Sequence, residues 1–350
     1  MRVAFVKLLG AVAASSLLAG CSQSAVPSQH AIAFHSNGHS LTRPVPVAVN
    51  AAGIFKVHPN FGRHSKSFDT CPTSGAIEYI SDFNDSVISI FAGNFANQPP
   101  CGQIAGSGIL LPQGLFVNRK THDLYVANTG GFDVLVFHRG STTPFRTYID
   151  PTGQYPLDVT VANDGTVLAS NAFQATGIEK GSISTWRRSG KFVANFPMHN
   201  DVSGNFVTVQ RSGALYFNDV DAQSGNGLLW SGSCPRGICG VFTSTGATTV
   251  YPGGLRSADN EDVVQVDQNA PGGGSIITYE TFPNGVSCAI GGGGPAGMDV
   301  DQAQQNVYYA DPINNVGGQI AYPSCAPVGT VPGNLGGLPV GAAADPPGGL

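Results

Sequence analysis

Charge is scarce in this chain of 350 residues: Lys, Arg, Asp and Glu together make up 11% of it. The balance is mildly acidic, at −5, and no run of Lys and Arg stands out along the sequence. Nucleic acid is therefore not an expected partner, because nothing would neutralise a row of phosphates. A basic patch for anionic lipid is missing in the same way. No apolar run is suited to crossing a bilayer. The most prominent, Leu8–Gly20, would make about 20 Å of helix, where about 30 Å is needed. Catalytic signatures are missing too. There is no Gly-x-Ser-x-Gly elbow, no His-Glu-x-x-His and no P-loop, and no Cys-x-x-Cys spacing that would suggest zinc. The four glycines Gly291–Gly294 lack a following Lys-Ser or Lys-Thr, so they read as a flexible turn rather than a phosphate cradle. His30, His35 and His39 lie close together and read as part of a solvated linker.

What is present points to export and to β-structure. Glycine (47) and proline (24) are abundant, a composition of loops and short strands rather than of helices. Arg2 and Lys7 precede the apolar stretch as the positive end of a secretion signal. That stretch closes in Leu18-Ala19-Gly20-Cys21, which resembles the lipobox of bacterial lipoproteins. The resemblance implies cleavage before Cys21, a lipid on its sulfur, an acylated amine and attachment to a membrane through those chains. Ser22, rather than Asp, then implies the outer membrane of a diderm envelope. Residues 1–20 are thus expected to be a signal peptide, 21–70 a lipidated tether and lead-in, and 71–350 the folded body. Six further cysteines are an even number in an exported chain, which favours disulfides. Six allow fifteen pairings. Cys71 with Cys101 around the first repeat and Cys234 with Cys239 inside a loop are the expected pairs, leaving Cys288 with Cys325.

An internal repeat carries the fold. Ala76–Asp82, Asp123–Asn128, Thr166–Asn171, Ala214–Asp219, Ser275–Glu280 and Asn306–Asp311 are β-branched or aromatic runs ending in Asp, Asn or Glu. The closing residues are separated by 46, 43, 48, 61 and 31 positions, an average typical of four-stranded propeller blades. Taken as second strands, these runs precede third strands at 87–91, 134–137, 182–186, 238–242, 286–290 and 319–322. Outer strands are expected at 145–149, 192–196 and 248–251. Inner strands are expected at 115–118, 159–162, 206–210, 263–267 and 298–301. The sixth inner strand is expected from Pro339–Asp345, whose outline repeats Pro295–Asp301 and which would close the ring against the first run. The expected fold is all-β, a six-bladed β-propeller of four-stranded antiparallel blades.

Leu124-Tyr-Val-Ala-Asn-Thr-Gly-Gly-Phe-Asp-Val-Leu-Val-Phe137 resembles the NHL repeat and, more loosely, YVTN-type repeats, over roughly residues 75–345. That resemblance implies a fold rather than a reaction.

One face is expected to gather the loops that follow the second strands and those that enter the inner strands. The fourth blade would carry extra length there, in Val220–Gly237. Phe83, Phe132, Phe173, Trp230, Phe282 and Ile313 would stand at the loop tips, as ligand walls or as plugs between blades. Asp158, Asn205, Glu261 and Asp262 would sit at inner-strand starts by the channel mouth, with His199 nearby. The repeated Asp82, Asn128, Asn171, Asp219, Glu280 and Asp311 read as turn-capping fold chemistry. Calcium-dependent lactonases are also six-bladed. The positions here that correspond to their metal ligands are Gln113, Leu157, Gly204, Glu261, Ala296 and Val340, of which only Glu261 is a strong oxygen donor. The favoured function is a surface-anchored, non-catalytic module binding a protein, glycan or small ligand, without a cofactor. The alternative is a lactonase- or lyase-like enzyme using Glu261, Asp158 and His199, with calcium as its metal.

Overall fold

The computed structural model describes residues 71–346 apart from 72–73, 94–97, 175–180, 199–200, 222–223, 292, 302–304, 331–334 and 336. Cys21, the three tether histidines and His199 lie outside the described residues. Almost everything described is strand, in six antiparallel sheets of four.

Blade 1 contains β1 (Ile77–Asp82), β2 (Val87–Ala92) and β3 (Gly102–Ala105). Blade 2 runs outward through β4 (Pro112–Asn118), β5 (Asp123–Asn128), β6 (Asp133–Phe137) and β7 (Arg146–Ile149). Blade 3 is β8 (Gln154–Val161), β9 (Val167–Gln174), β10 (Ser182–Trp186) and β11 (Phe192–Pro197). Blade 4 follows as β12 (Asp201–Val209), β13 (Ala214–Asp221), β14 (Gly227–Ser233) and β15 (Thr243–Thr249). Blade 5 is β16 (Pro252–Ser257), β17 (Val263–Asp267), β18 (Ser275–Tyr279) and β19 (Val286–Ala289). Blade 6 is β20 (Met298–Asp301), β21 (Asn306–Asp311), β22 (Val316–Ala321) and β23 (Pro327–Thr330). The last strand, β24 (Pro339–Asp345), returns to blade 1 and pairs with β1, setting Ile77 opposite Asp345 and Tyr79 opposite Ala343. The ring is therefore closed by the two ends of the fold, as its sequence repeat implies.

Alternation along each strand supplies two apolar faces, one for each neighbouring blade. In β5, Leu124 and Val126 pack with blade 1, whereas Tyr125 and Ala127 pack with blade 3. Six such clusters occupy the six junctions between blades. Burying one Val, Leu, Ile or Phe side chain contributes about 1.5–3 kcal/mol, so the junctions carry most of the stability. In β24, Ala343 faces blade 2, and Ala342 and Ala344 face blade 6.

Blade 5 departs from the sequence expectation. Val263–Asp267 is its second strand rather than its inner one, Ser275–Tyr279 its third, and Val286–Ala289 its outer one. The inner strand is Pro252–Ser257, where no strand is expected from sequence because proline and glycine are poor strand residues. The glycines answer crowding near the axis. A Cβ on Gly254 would lie 2.5 Å from the Met298 nitrogen, and one on Gly341 2.1 Å from the Gln113 oxygen. With Asp267 in place of Glu280, the gaps flanking it become 48 and 44, and the long and short spacings vanish. In blade 4 the third strand is Gly227–Ser233. The expected 238–242 strand is instead part of the connection to β15, and the outer strand spans Thr243–Thr249.

Three disulfides are present: Cys71–Cys101 against the junction of blades 1 and 2, Cys234–Cys239 between β14 and β15, and Cys288–Cys325 linking blades 5 and 6. They indicate an extracytoplasmic location. Among the described residues no helix is long and apolar enough to cross a membrane.

Candidate ligand groove and plugged channel

The second-strand closing residues explain how each blade is held. Asp82 accepts the amides of Asp85 and Leu338, each at 3.0 Å. Asn128 accepts Leu110 N at 2.6 Å. Asp267 accepts Val250 N at 2.9 Å and Tyr251 N at 3.1 Å, and Asp311 accepts Gly294 N at 3.2 Å. In these four blades, the residue pins the loop that enters its own inner strand. Glu280 lies on the opposite face, past the end of β18, so its expected place in the ring belongs to Asp267.

Pro-x-Gly opens β4, β16 and β24, at Pro112, Pro252 and Pro339, and at Pro295 it immediately precedes β20. In β8 the matching triplet is Pro156-Leu157-Asp158, so a carboxylate replaces the glycine. Asp158 takes a bidentate hold on Arg256 of β16, at 2.6 and 2.9 Å, and accepts Val207 N of β12 at 3.2 Å. Arg256 also donates to Leu115 O of β4 at 2.6 Å. Asp299 of β20 stands 4.0 Å from the Arg256 Nε and accepts Ala344 N of β24 at 2.9 Å. These groups thereby join all six inner strands across the axis. Burial opposes the Arg256 charge, but Asp158 outweighs it and holds the guanidinium pKa above its ordinary value. With 4% of Arg256 and none of Asp158 exposed, the pair plugs the channel.

Above that plug, on the face of the hairpins joining first to second strands, lies a groove of about 650 Å³. Arg256 and Asp299 form its inner end. It runs outward between blades 2 and 3 to His138, Phe145, Arg146 and Arg188. Its acids are already engaged. Asp123 meets His138 Nδ1 at 2.7 Å, and Asp259 pairs with Arg119 at 3.2 Å and Arg211 at 3.5 Å. Burial pulls the Asp164 pKa upward, but the amides of Thr166 and Arg236 outweigh it and hold the group below the ordinary carboxylate range. Arg146 donates to the Tyr148 hydroxyl, which raises its pKa, and to Arg188 O. Among the described residues, Lys120, Arg146 and Arg188 have no carboxylate at ion-pair distance. Phe145 is 41% exposed and stacks on His138 with centroids 3.7 Å apart.

The residues expected to form a site on the other face do not converge. Asp158 lies within its strand and is spent on Arg256. Glu261 and Asp262 sit in the β16–β17 hairpin on the groove face, not at an inner-strand start, because blade 5 is offset from its expected frame. Glu261 accepts Ser212 N at 3.1 Å, and Asp262 accepts the Tyr322 hydroxyl at 2.9 Å. In the lactonase comparison the position before the blade-5 inner-strand glycine is Gly253, so the one strong donor drops out. Gln113, Leu157, Ala296 and Val340 are all buried, and Gly204 lies in β12. Asn205 also lies in β12. Among the described residues, no group of three His, Cys, Asp or Glu is arranged to hold a metal.

The aromatic tips are divided as well. Phe83 is fully buried beside Leu111 and Val340, and Phe132 packs on Tyr155 at 4.6 Å. Trp230 lies inside β14, stacked on Phe217, rather than at a loop tip. Phe282 belongs to the β18–β19 connection on the groove face and contacts Tyr216 and Tyr279. Ile313 is exposed between β21 and β22 on the opposite face, and Phe173 lies in β9. The extra length expected in the β13–β14 loop is instead in the β14–β15 connection, around Pro235–Gly237.

Sequence reading passed over the groove because its cations are scattered along the chain. A per-blade charge count finds it, since every Lys and Arg after residue 70 lies between Arg119 and Arg256.

The fold and groove define a class, the six-bladed β-propellers. No protein-family profile matches the chain, and no curated protein matches it by sequence. A chain in the crystal structure of a nidogen/laminin complex is similar at TM-score 0.60 and 13% identity, over 77% of this chain and 98% of that one. A chain of Kuenenia stuttgartiensis hydrazine synthase is similar at TM-score 0.50 and 15% identity, covering 74% and 79% respectively. A protein of unknown function from Desulfotomaculum acetoxidans is similar at TM-score 0.50 and 12% identity, covering 77% and 99%. At these identities the likeness concerns the fold alone.

Proposed function

We propose that this chain is a non-catalytic binding propeller of the cell envelope that holds an anionic ligand in the groove over its plugged channel. The observation that carries the reading is the gathering of Lys120, Arg146 and Arg188, none paired with a carboxylate among the described residues, along one groove of a chain whose net charge is −5. Asp158 and Glu261, the candidates for chemistry, already serve internal bonds, which favours binding over turnover. The lipobox-like Leu18–Cys21 supports attachment through Cys21, with residues 21–70 as tether and 71–350 as the ligand-bearing body. Under the sorting rule, Ser22 supports an outer-membrane destination. Cys21→Ser is expected to move the protein from the membrane fraction to the soluble one and to end its labelling by palmitate.

The binding reading is tested by thermal melts of the purified full-length chain at low ionic strength with heparin, polyglutamate or oligogalacturonate. A ligand that binds only the native state adds about 2.7 kcal/mol at a hundredfold excess over its Kd. A rise in midpoint with at least one polyanion, lost in Lys120→Gln/Arg188→Gln, is expected. Midpoints unmoved by all three would refute the reading.

A further inference from the structure

Resting on that binding reading, we infer that the ligand is an acidic oligosaccharide, a short uronate-bearing chain lying along the groove with its carboxylates on Lys120, Arg146 and Arg188. Charge alone does not select it; the character of the walls does. The groove is long and open at the rim, reaching from Arg256 at the axis to Phe145 beside the outer strand of blade 2. That shape suits an extended oligomer better than a compact metabolite.

Cations stand on both sides, Lys120 and Arg146 from blade 2 and Arg188 from blade 3. Uncharged amide side chains also line the groove. Asn118 accepts the Lys120 amide at 3.0 Å, and Asn163 donates to Arg211 O at 2.8 Å. Each has a second amide atom with no partner among the described residues, placed to meet hydroxyl groups. At the rim Phe145 is exposed; His138 stacks on its ring and the Arg146 guanidinium lies 5.7 Å from the ring centroid, so the aromatic borders the groove as an apolar edge beside a cation. A uronate unit presents all three complements: a carboxylate, hydroxyls and an apolar ring face. An acidic peptide supplies only the first in every unit.

The rest of the molecule limits the length of the ligand. Blades 5 and 6 carry Glu261, Asp262 and Glu280 on this face and, apart from Arg256, no Lys or Arg. A polyanion extending past the groove meets repulsion there. The arrangement favours a short chain or a chain end entering from the rim, and it disfavours long nucleic acid.

The test is titration calorimetry of the purified full-length chain with a defined oligogalacturonate, its methyl ester and a polyglutamate of equal charge. Three proteins are compared: wild type, Lys120→Gln/Arg188→Gln and Phe145→Ala, each first checked for an unchanged melt because the altered side chains are at the surface. The oligogalacturonate is expected to bind and its uncharged ester to bind at least tenfold more weakly. The double variant is expected to weaken uronate binding about tenfold or more, and Phe145→Ala to weaken it several-fold while leaving any polyglutamate binding unchanged. If polyglutamate binds as tightly as the uronate and Phe145→Ala affects neither, the saccharide inference fails while the anion groove stands. If no polyanion binds, or the double variant binds as wild type does, the groove itself fails.

Discussion

Replacing Arg256 with methionine removes the one side chain that holds the channel together from its centre. The arginine makes two bonds to Asp158, at 2.6 and 2.9 Å, and one to Leu115 O at 2.6 Å, in surroundings that leave it 4% exposed. Methionine fills similar space but leaves Asp158 buried against only the backbone amides of Val207 and Val159. Breaking a buried pair in this way costs about 3–5 kcal/mol. For a domain of this size that is a fall in Tm on the order of 10 °C. The loss also depends on pH. Burial already raises the Asp158 pKa above 3.8 against the opposing pull of Arg256, and losing the guanidinium raises it further. A raised acid contributes its stability below 3.8 and loses it as pH rises, so the deficit grows from acid toward neutral conditions. Urea unfolding of both proteins at pH 4 and pH 7 measures it. The companion Asp158→Leu/Arg256→Met is expected to regain most of the loss, because neither charge is then stranded. A single variant within about 0.5 kcal/mol of wild type at pH 7 would refute the plug.

Asp267→Ala strands the amides of Val250 and Tyr251 and is expected to cost about 2–3 kcal/mol, whereas Glu280→Ala stays within about 0.5 kcal/mol; equal effects in chemical denaturation would contradict the frame given to blade 5. Ending the chain after Gly337 removes β24 and exposes the long inner edge of β1. Loss of the cooperative melt, or aggregation on size-exclusion chromatography, is expected, and an unchanged melt would show that the ring closes otherwise. Burial pushes Glu78 up to about 9, with Asp301 and Asp345 adding to the effect against a lowering bond from Tyr308, so it is neutral when folded near pH 7. Its stabilising contribution is complete below 4.5 and disappears as pH rises through about 9; Glu78→Gln should flatten the alkaline fall in Tm, and an equally steep fall in the variant would count against this.

Blades 1, 2, 3 and 6 were legible because their second strands are rich in apolar and aromatic residues and reach a closing Asp or Asn, as in Asp123–Asn128 and Asn306–Asp311. Ring closure was legible from the likeness of Pro339–Asp345 to Pro295–Asp301. Blade 5 misled for a physical reason. Ser275–Tyr279 has the composition of a second strand, while the true inner strand carries the Pro and Gly that crowding at the axis demands. Moving that blade by one strand carried Glu261 and Asp262 to the wrong face and let Glu280 stand for Asp267. The groove was hidden because Lys120, Arg146, Arg188 and Arg211 are far apart in sequence and meet only when hairpins of successive blades line up around the axis.

The most direct test of the central claim, that ligand sits on the hairpin face between blades 2 and 3, is hydrogen–deuterium exchange of the full chain with and without a bound polyanion. Added protection confined to residues 116–121, 138, 145–146, 161–165, 188 and 208–211 is the expected result. Protection instead at 83–86, 129–132 and 312–315, in loops of the opposite face, would contradict the account.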